Sequence, residues 1–143
     1  MASDSPAAAA SAAEGVCAFL RSLGVTSSST IQLVGRGALP SLLWLCRHGF
    51  QRVAIVSGTA PSSESADLLL CLDTSSAARL TLSLRRVRHG GLAIVRGDRM
   101  ACLSVARRSL NDAGFRIERR LTGERRDVYI ARRIGYFAST VKP

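Results

Sequence analysis

Apolar positions along the chain change period several times, and each change marks an element. Val16, Phe19, Leu20 and Leu23 recur at the spacing of one helix face, and Gly24 ends the run. Residues 31–34 form a short apolar run stopped by Gly35-Arg36-Gly37. Leu39, Leu42, Leu43 and Cys46 return to helical spacing, closed by His48 and Gly49. Residues 53–56 are apolar without a break, the pattern of a strand buried on both faces of a parallel sheet. A loop of Ser, Gly, Thr, Pro and Glu leads to a third strand over 67–72. Ala77, Leu80, Leu84 and Val87 predict a helix reaching Arg88, then His89-Gly90-Gly91 a turn and 92–95 a fourth strand. Leu103, Ala106, Leu110 and Ala113 mark another helix, ended by Gly114 where a left-handed residue is wanted. Phe115, Ile117, Arg119 and Leu121 then alternate with polar neighbours, Thr122-Gly123-Glu124 turns the chain, and 128–131 returns as the second arm of a hairpin.

Strands alternating with helices imply parallel strands joined by crossovers. The expected architecture is α/β, a three-layer, doubly wound, mostly parallel sheet that closes in a C-terminal antiparallel hairpin. With 143 residues this is one domain. Residues 1–12 read as an Ala-rich leader, 13–135 as the domain and 136–143 as a tail.

Composition adds a polarity to this picture. The chain carries a net charge of +10, and nineteen of its twenty basic residues are arginine. Residues 1–78 sum to −1 and residues 79–143 to +11. Such a half attracts nucleic acid or another anionic partner, or it is simply a solvated surface. No aromatic residues interleave with these arginines as a base-stacking surface requires. No apolar stretch is long enough to span a bilayer, so no membrane role is expected. Cys17, Cys46, Cys71 and Cys102 are far apart, without metal-ligand spacing, and read as reduced thiols in the core. A cytoplasmic location and the absence of a metal follow as expectations.

Several runs, taken in order, resemble the class I S-adenosylmethionine-dependent methyltransferases. Ile31-Gln32-Leu33-Val34-Gly35-Arg36-Gly37 resembles the first glycine-rich motif of that family, and Phe50-Gln51-Arg52-Val53-Ala54-Ile55-Val56 its second strand. Ala66-Asp67-Leu68-Leu69-Leu70-Cys71-Leu72 resembles its fourth strand, and residues 84–95 its following helix, turn and fifth strand. The resemblance implies cofactor-binding positions at Gly35, Arg36, Gly37, Ser57 and Asp73. It also implies a weak catalytic candidate, Asp73, which could accept a proton or cap the next helix.

The sequence departs from the family where the cofactor is held. Leu33 stands where an acidic residue is usual, Leu39 where a third glycine is usual, and Ser57 where a carboxylate binds the ribose hydroxyls. The usual third strand is expected to be missing, which leaves strand 52–56 at the sheet edge and available to a second copy of the chain. Trp44 and Phe50 are candidate companions at that interface. His48 and His89, each followed by glycine, read as punctuation at element ends. Three readings follow. The first is a degenerate methyltransferase-like protein, non-catalytic, serving as a binding, regulatory or assembly module, with S-adenosylmethionine binding weak or lost. The second is an active small-molecule methyltransferase with an altered S-adenosylmethionine pocket. The third is a basic nucleic-acid-binding module.

Overall fold

The computed structural model describes residues 15–56, 66–72, 77–98, 102–122 and 126–134. Helix α1 covers residues 15–22. It is followed by β1 (Thr30–Val34), α2 (Ala38–Arg47), β2 (Arg52–Ile55), β3 (Ala66–Cys71), α3 (Ala77–Leu84), β4 (Val87–Asp98), α4 (Cys102–Asp112), β5 (Phe115–Thr122) and β6 (Arg126–Arg133). The six strands form one sheet in the order β2-β1-β3-β4-β6-β5. The β2/β1, β1/β3 and β3/β4 pairs are parallel, and β4/β6 and β6/β5 are antiparallel.

Alternation along the strands sends neighbouring residues to opposite faces and builds two cores. Ile31, Leu33, Leu68, Leu92 and Ile130 pack with Cys17 and Leu20 of α1 and Ala38 and Leu45 of α2. Val34, Leu69, Cys71, Ala93, Val95, Tyr129 and Ala131 pack with Leu80 and Leu84 of α3 and Ala106 and Leu110 of α4. Helices therefore cover both faces, and the three-layer, doubly wound architecture expected from the pattern is the one observed.

The differences are local and have physical causes. Helix α2 turns Ala38 and Leu45 inward, while Leu39 and Leu43 stay exposed and so does Cys46. The apolar surplus of this helix disguised which of its faces meets the sheet. Cys17 and Cys71 are buried thiols as expected. Val16 is exposed at the start of α1, where Cys17 takes the inward position. Strand β2 lies at the edge of the described sheet, so its unbroken apolar run is not buried on both faces, and Ala54 and Ile55 are exposed.

Helix α3 ends at Leu84, and Val87 already belongs to β4. The segment His89-Gly90-Gly91 is not a turn between elements. It is a bulge within β4, because Ala66 pairs with Val87 whereas Leu68 pairs with Leu92. Gly90 takes a positive φ there. A Cβ on Gly91 would stand 2.6 Å from Val87 Cγ1, 2.9 Å from the Arg88 carbonyl oxygen and 3.2 Å from that of Ala66. Only glycine lets the two backbones approach so closely. A second bulge lies in β5, where Ile117 and Arg119 face the consecutive residues Ala131 and Ile130. It shifts the alternation by one residue, so Leu121 pairs with Val128 and is left partly exposed instead of continuing the face of Phe115 and Ile117.

Candidate functional site

Strand β1 lies beside the edge strand β2, and the strand order reverses there: α2 leads to β2 on one side, while β3 lies on the other. Such a reversal opens a crevice at the carboxyl ends of the strands, where open α/β sheets bind ligands. The Gly35-Arg36-Gly37 turn sits at that point, between β1 and α2. Both glycines adopt positive φ, 102° and 82°. Gly37 is the N-cap of α2 in the left-handed region, and no side chain caps the helix. A Cβ on Gly37 would meet nothing within 4 Å, so glycine is required there by backbone conformation rather than by crowding. Pro40 fits the first turn of α2, where its missing N–H costs no helical bond.

The structure thus brings Gly35, Arg36 and Gly37 together at the crevice. Leu33, in the position of the family's usual carboxylate, is fully buried under α1 and α2. It cannot supply the charge that position normally carries. Ser57 and Asp73 lie outside the described residues. Gln32, at the centre of β1, is buried, and among the described residues its side-chain oxygen has no hydrogen-bond partner. A polar residue inside an apolar strand run was the signal for it. His48 terminates α2 as expected, and its Nδ1 lies 2.8 Å from the Trp44 carbonyl oxygen. His89 instead belongs to the bulge of β4. Among the described residues no group of three or more His, Cys, Asp or Glu side chains could hold a metal ion, and no helix is long and apolar enough to cross a membrane.

Comparison with known families and with characterised protein sequences finds no match. Solved structures do match. Magnesium protoporphyrin IX methyltransferase from Synechocystis PCC 6803, with S-adenosylhomocysteine bound, superposes with a TM-score of 0.65 at 14% identity, covering 86% of this chain and 82% of that one. The chain has the fold of the class I S-adenosylmethionine-dependent methyltransferases. An amino pentose methyltransferase from Micromonospora echinaspora, bound to S-adenosylmethionine, is similar at TM-score 0.54 and 13% identity, over 86% and 90% of the two chains. An N-methyltransferase from Bradyrhizobium japonicum is similar at TM-score 0.58 and 11% identity, over 93% and 100%. In this methyltransferase-like fold the glycine turn occupies the switch point, and the inserted final strand is β6.

The arginines of the basic half are partly committed within the fold. Arg88 donates to Asp67 and to the His89 carbonyl oxygen. Arg120 donates through Nε and an Nη to Asp127 Oδ2, at 3.1 and 2.7 Å, and Asp127 is fully buried. This bond and the carboxylate charge raise the guanidinium pKa. Arg132 bridges Glu118 at 3.2 Å and the Gly90 carbonyl oxygen at 2.8 Å. Arg133 donates to the Val87 carbonyl oxygen. Arg88 and Arg132 thus satisfy the His89 and Gly90 carbonyl groups within the β4 bulge, and Arg133 that of Val87 beside it.

Away from these arginines lies a feature that motif reading missed. A cavity of about 290 Å³ opens between α1, α2 and the sheet. Phe19, Leu20, Trp44 and Leu45 form its helical walls, and Leu70 and Ile94 its floor. The hydrophobic periods locate each wall, but only the placement of α1 and α2 on the sheet shows that they leave space between them.

Proposed function

We propose that this protein is a degenerate methyltransferase-like domain that does not transfer methyl groups and serves as a binding or assembly module. The observation that carries this reading is the edge position of β2. Nine residues separate Val56 from Ala66. A further crossover with its own helix needs about a dozen residues or more, before counting an added strand. The wall that the family places beside the adenine therefore has no length of chain to form it. Leu33 inside the core and Ser57 after β2 remove two further carboxylates that family members use. Each good hydrogen bond contributes about 1 kcal/mol net, and losing three or four weakens binding on the order of 100–1000-fold.

Isothermal calorimetry with S-adenosylmethionine and S-adenosylhomocysteine tests this directly. The expected result is no heat of binding at micromolar ligand. Micromolar affinity would favour the active small-molecule enzyme with an altered pocket. Ser57→Asp is the informative reversal, since gained affinity would locate a surviving pocket.

The edge also supports assembly through a second copy. Ile55 is 45% exposed and Val53 half-buried on a strand that has a neighbour on one side only among the described residues. Pairing of two β2 strands across a twofold axis would cover that edge. Phe50 is only 5% exposed and belongs to the core, so it is not part of such an interface. Sedimentation at micromolar concentration should give a dimer that Ile55→Pro dissociates. A 15 kDa species in the wild type rejects the assembly.

A further inference from the structure

We propose that the cavity between α1, α2 and the sheet is a binding site for a small, uncharged, predominantly apolar ligand, the size of a substituted benzene or a short branched alcohol. The space is a deep cleft open to solvent on one side rather than a sealed void. At about 290 Å³ this space is roughly ten times the volume share of one water in the liquid. It also exceeds the roughly 150 Å³ at which an apolar cavity takes up benzene.

The lining chemistry selects the ligand. Two aromatic side chains, Phe19 and Trp44, face an aliphatic floor of Leu70 and Ile94, and among the described residues no charged one lines the space. Ser41 supplies the polar side chain of the lining, enough to orient one hydroxyl or carbonyl group and too little to hold a cluster of waters. Poorly held water is displaced favourably by an apolar group. Exposed Val16 lies at the mouth, which makes the space reachable from solvent.

The walls are held in place before any ligand arrives. Trp44 stacks on His48 with ring centroids 4.2 Å apart and an interplanar angle of 22°. The His48 ring is itself tied to the Trp44 carbonyl oxygen at 2.8 Å. Leu70 and Ile94 are paired neighbours on β3 and β4, and Leu70 is also paired with Leu33, two residues before Gly35. The floor of the cavity therefore adjoins the strand that leads into the glycine turn, and the cavity shares none of the turn's residues.

The chain has a single tryptophan, Trp44, so its emission reports on this wall alone. The full-length protein is titrated separately with toluene and with 3-methyl-1-butanol, with glycerol as a polar control. The expected result is a saturating change in Trp44 emission with the first two and none with glycerol. The melting midpoint should rise by about 4–6 °C at tenfold excess over the dissociation constant. Ser41→Phe, which projects a ring into the space, should abolish the saturating response while preserving the far-ultraviolet circular dichroism. Should that variant misfold, methyl NMR of the wild type replaces it, and the shifts should concentrate on Leu70 and Ile94. A response that fails to saturate, that survives Ser41→Phe, or that leaves those two methyls unmoved overturns the proposal. Binding of S-adenosylmethionine would refute the non-catalytic reading without touching this one, so the two fail separately.

Discussion

Asp67, at the start of β3, ties three strands together at the amino edge of the sheet, opposite the glycine turn. Its Oδ2 accepts the Thr30 N–H at 2.8 Å, and its Oδ1 accepts from Arg88. Burial alone would push its carboxyl pKa up. The Thr30 N–H, the Arg88 bond and the charges of Arg88 and Arg52 together outweigh this and hold it below the ordinary value. A carboxyl held low in the fold contributes stability that is present above the unfolded value, about pH 4, and is lost as pH falls through the folded one. Asp67→Asn should therefore cost about 1–2 kcal/mol at neutral pH, and the difference should vanish in strong acid. Urea melts of both proteins between pH 7 and pH 2 measure it, and a constant difference across that range would refute the linkage. Gly91→Ala is the sharper substitution. Two carbonyl oxygens and Val87 already occupy the space of its Cβ. A loss of about 2–3 kcal/mol is expected, as for other overpacked sites. At Gly37, where space is open but φ is positive, alanine should cost about 1–2 kcal/mol. Both substitutions are read from chemical denaturation midpoints.

Among the elements, the strands were the most legible in the sequence, because continuous or alternating apolar runs such as 31–34 and 128–131 admit few other readings. Helix α2 was legible as a helix and illegible as to face, since Leu39, Leu42, Leu43 and Leu45 offer more apolar surface than the sheet can cover. The β4 bulge was invisible for another reason. His89-Gly90-Gly91 carries the signature of a turn, and its place inside a strand depends on arginines distant in sequence that accept the role of the lost ladder partners. Arg132→Lys keeps the charge but cannot reach Glu118 and the Gly90 carbonyl oxygen with one planar group. It should destabilise the protein by about 1 kcal/mol and speed amide exchange within residues 88–91 ahead of the rest of the sheet. Of the candidate site, the glycine turn was legible from its spacing. The apolar cavity was not, because a void belongs to the angle between elements and to no residue pattern.

At the level of the whole molecule, the charge of +10 overstates what is on offer to an anionic partner. Arg88, Arg120 and Arg132 already meet carboxylates. Arg116 lies 3.9 Å from Glu118, and Arg107, Arg108 and Arg119 remain exposed on α4 and β5. Any nucleic-acid binding through them should be weak and indifferent to sequence, with affinity falling linearly against salt on logarithmic axes. Fluorescence anisotropy with two unrelated oligonucleotides across a salt series checks this, and selectivity that survives high salt would reverse it.

The position of β6 has a consequence for how the protein is made. The last of the described strands lies between β4 and β5, and it pairs with both. A ribosome therefore releases β4, and then β5, before the strand that must separate them. During that interval each presents an open flank, and the two could meet wrongly. The sheet closes only when residues 126–133 have cleared the exit tunnel, so β4 and β5 are joined to each other last. A nascent chain arrested with residue 122 at the tunnel mouth should remain sensitive to protease throughout β4 and β5. Release of one further hairpin arm should protect both together, in a single step.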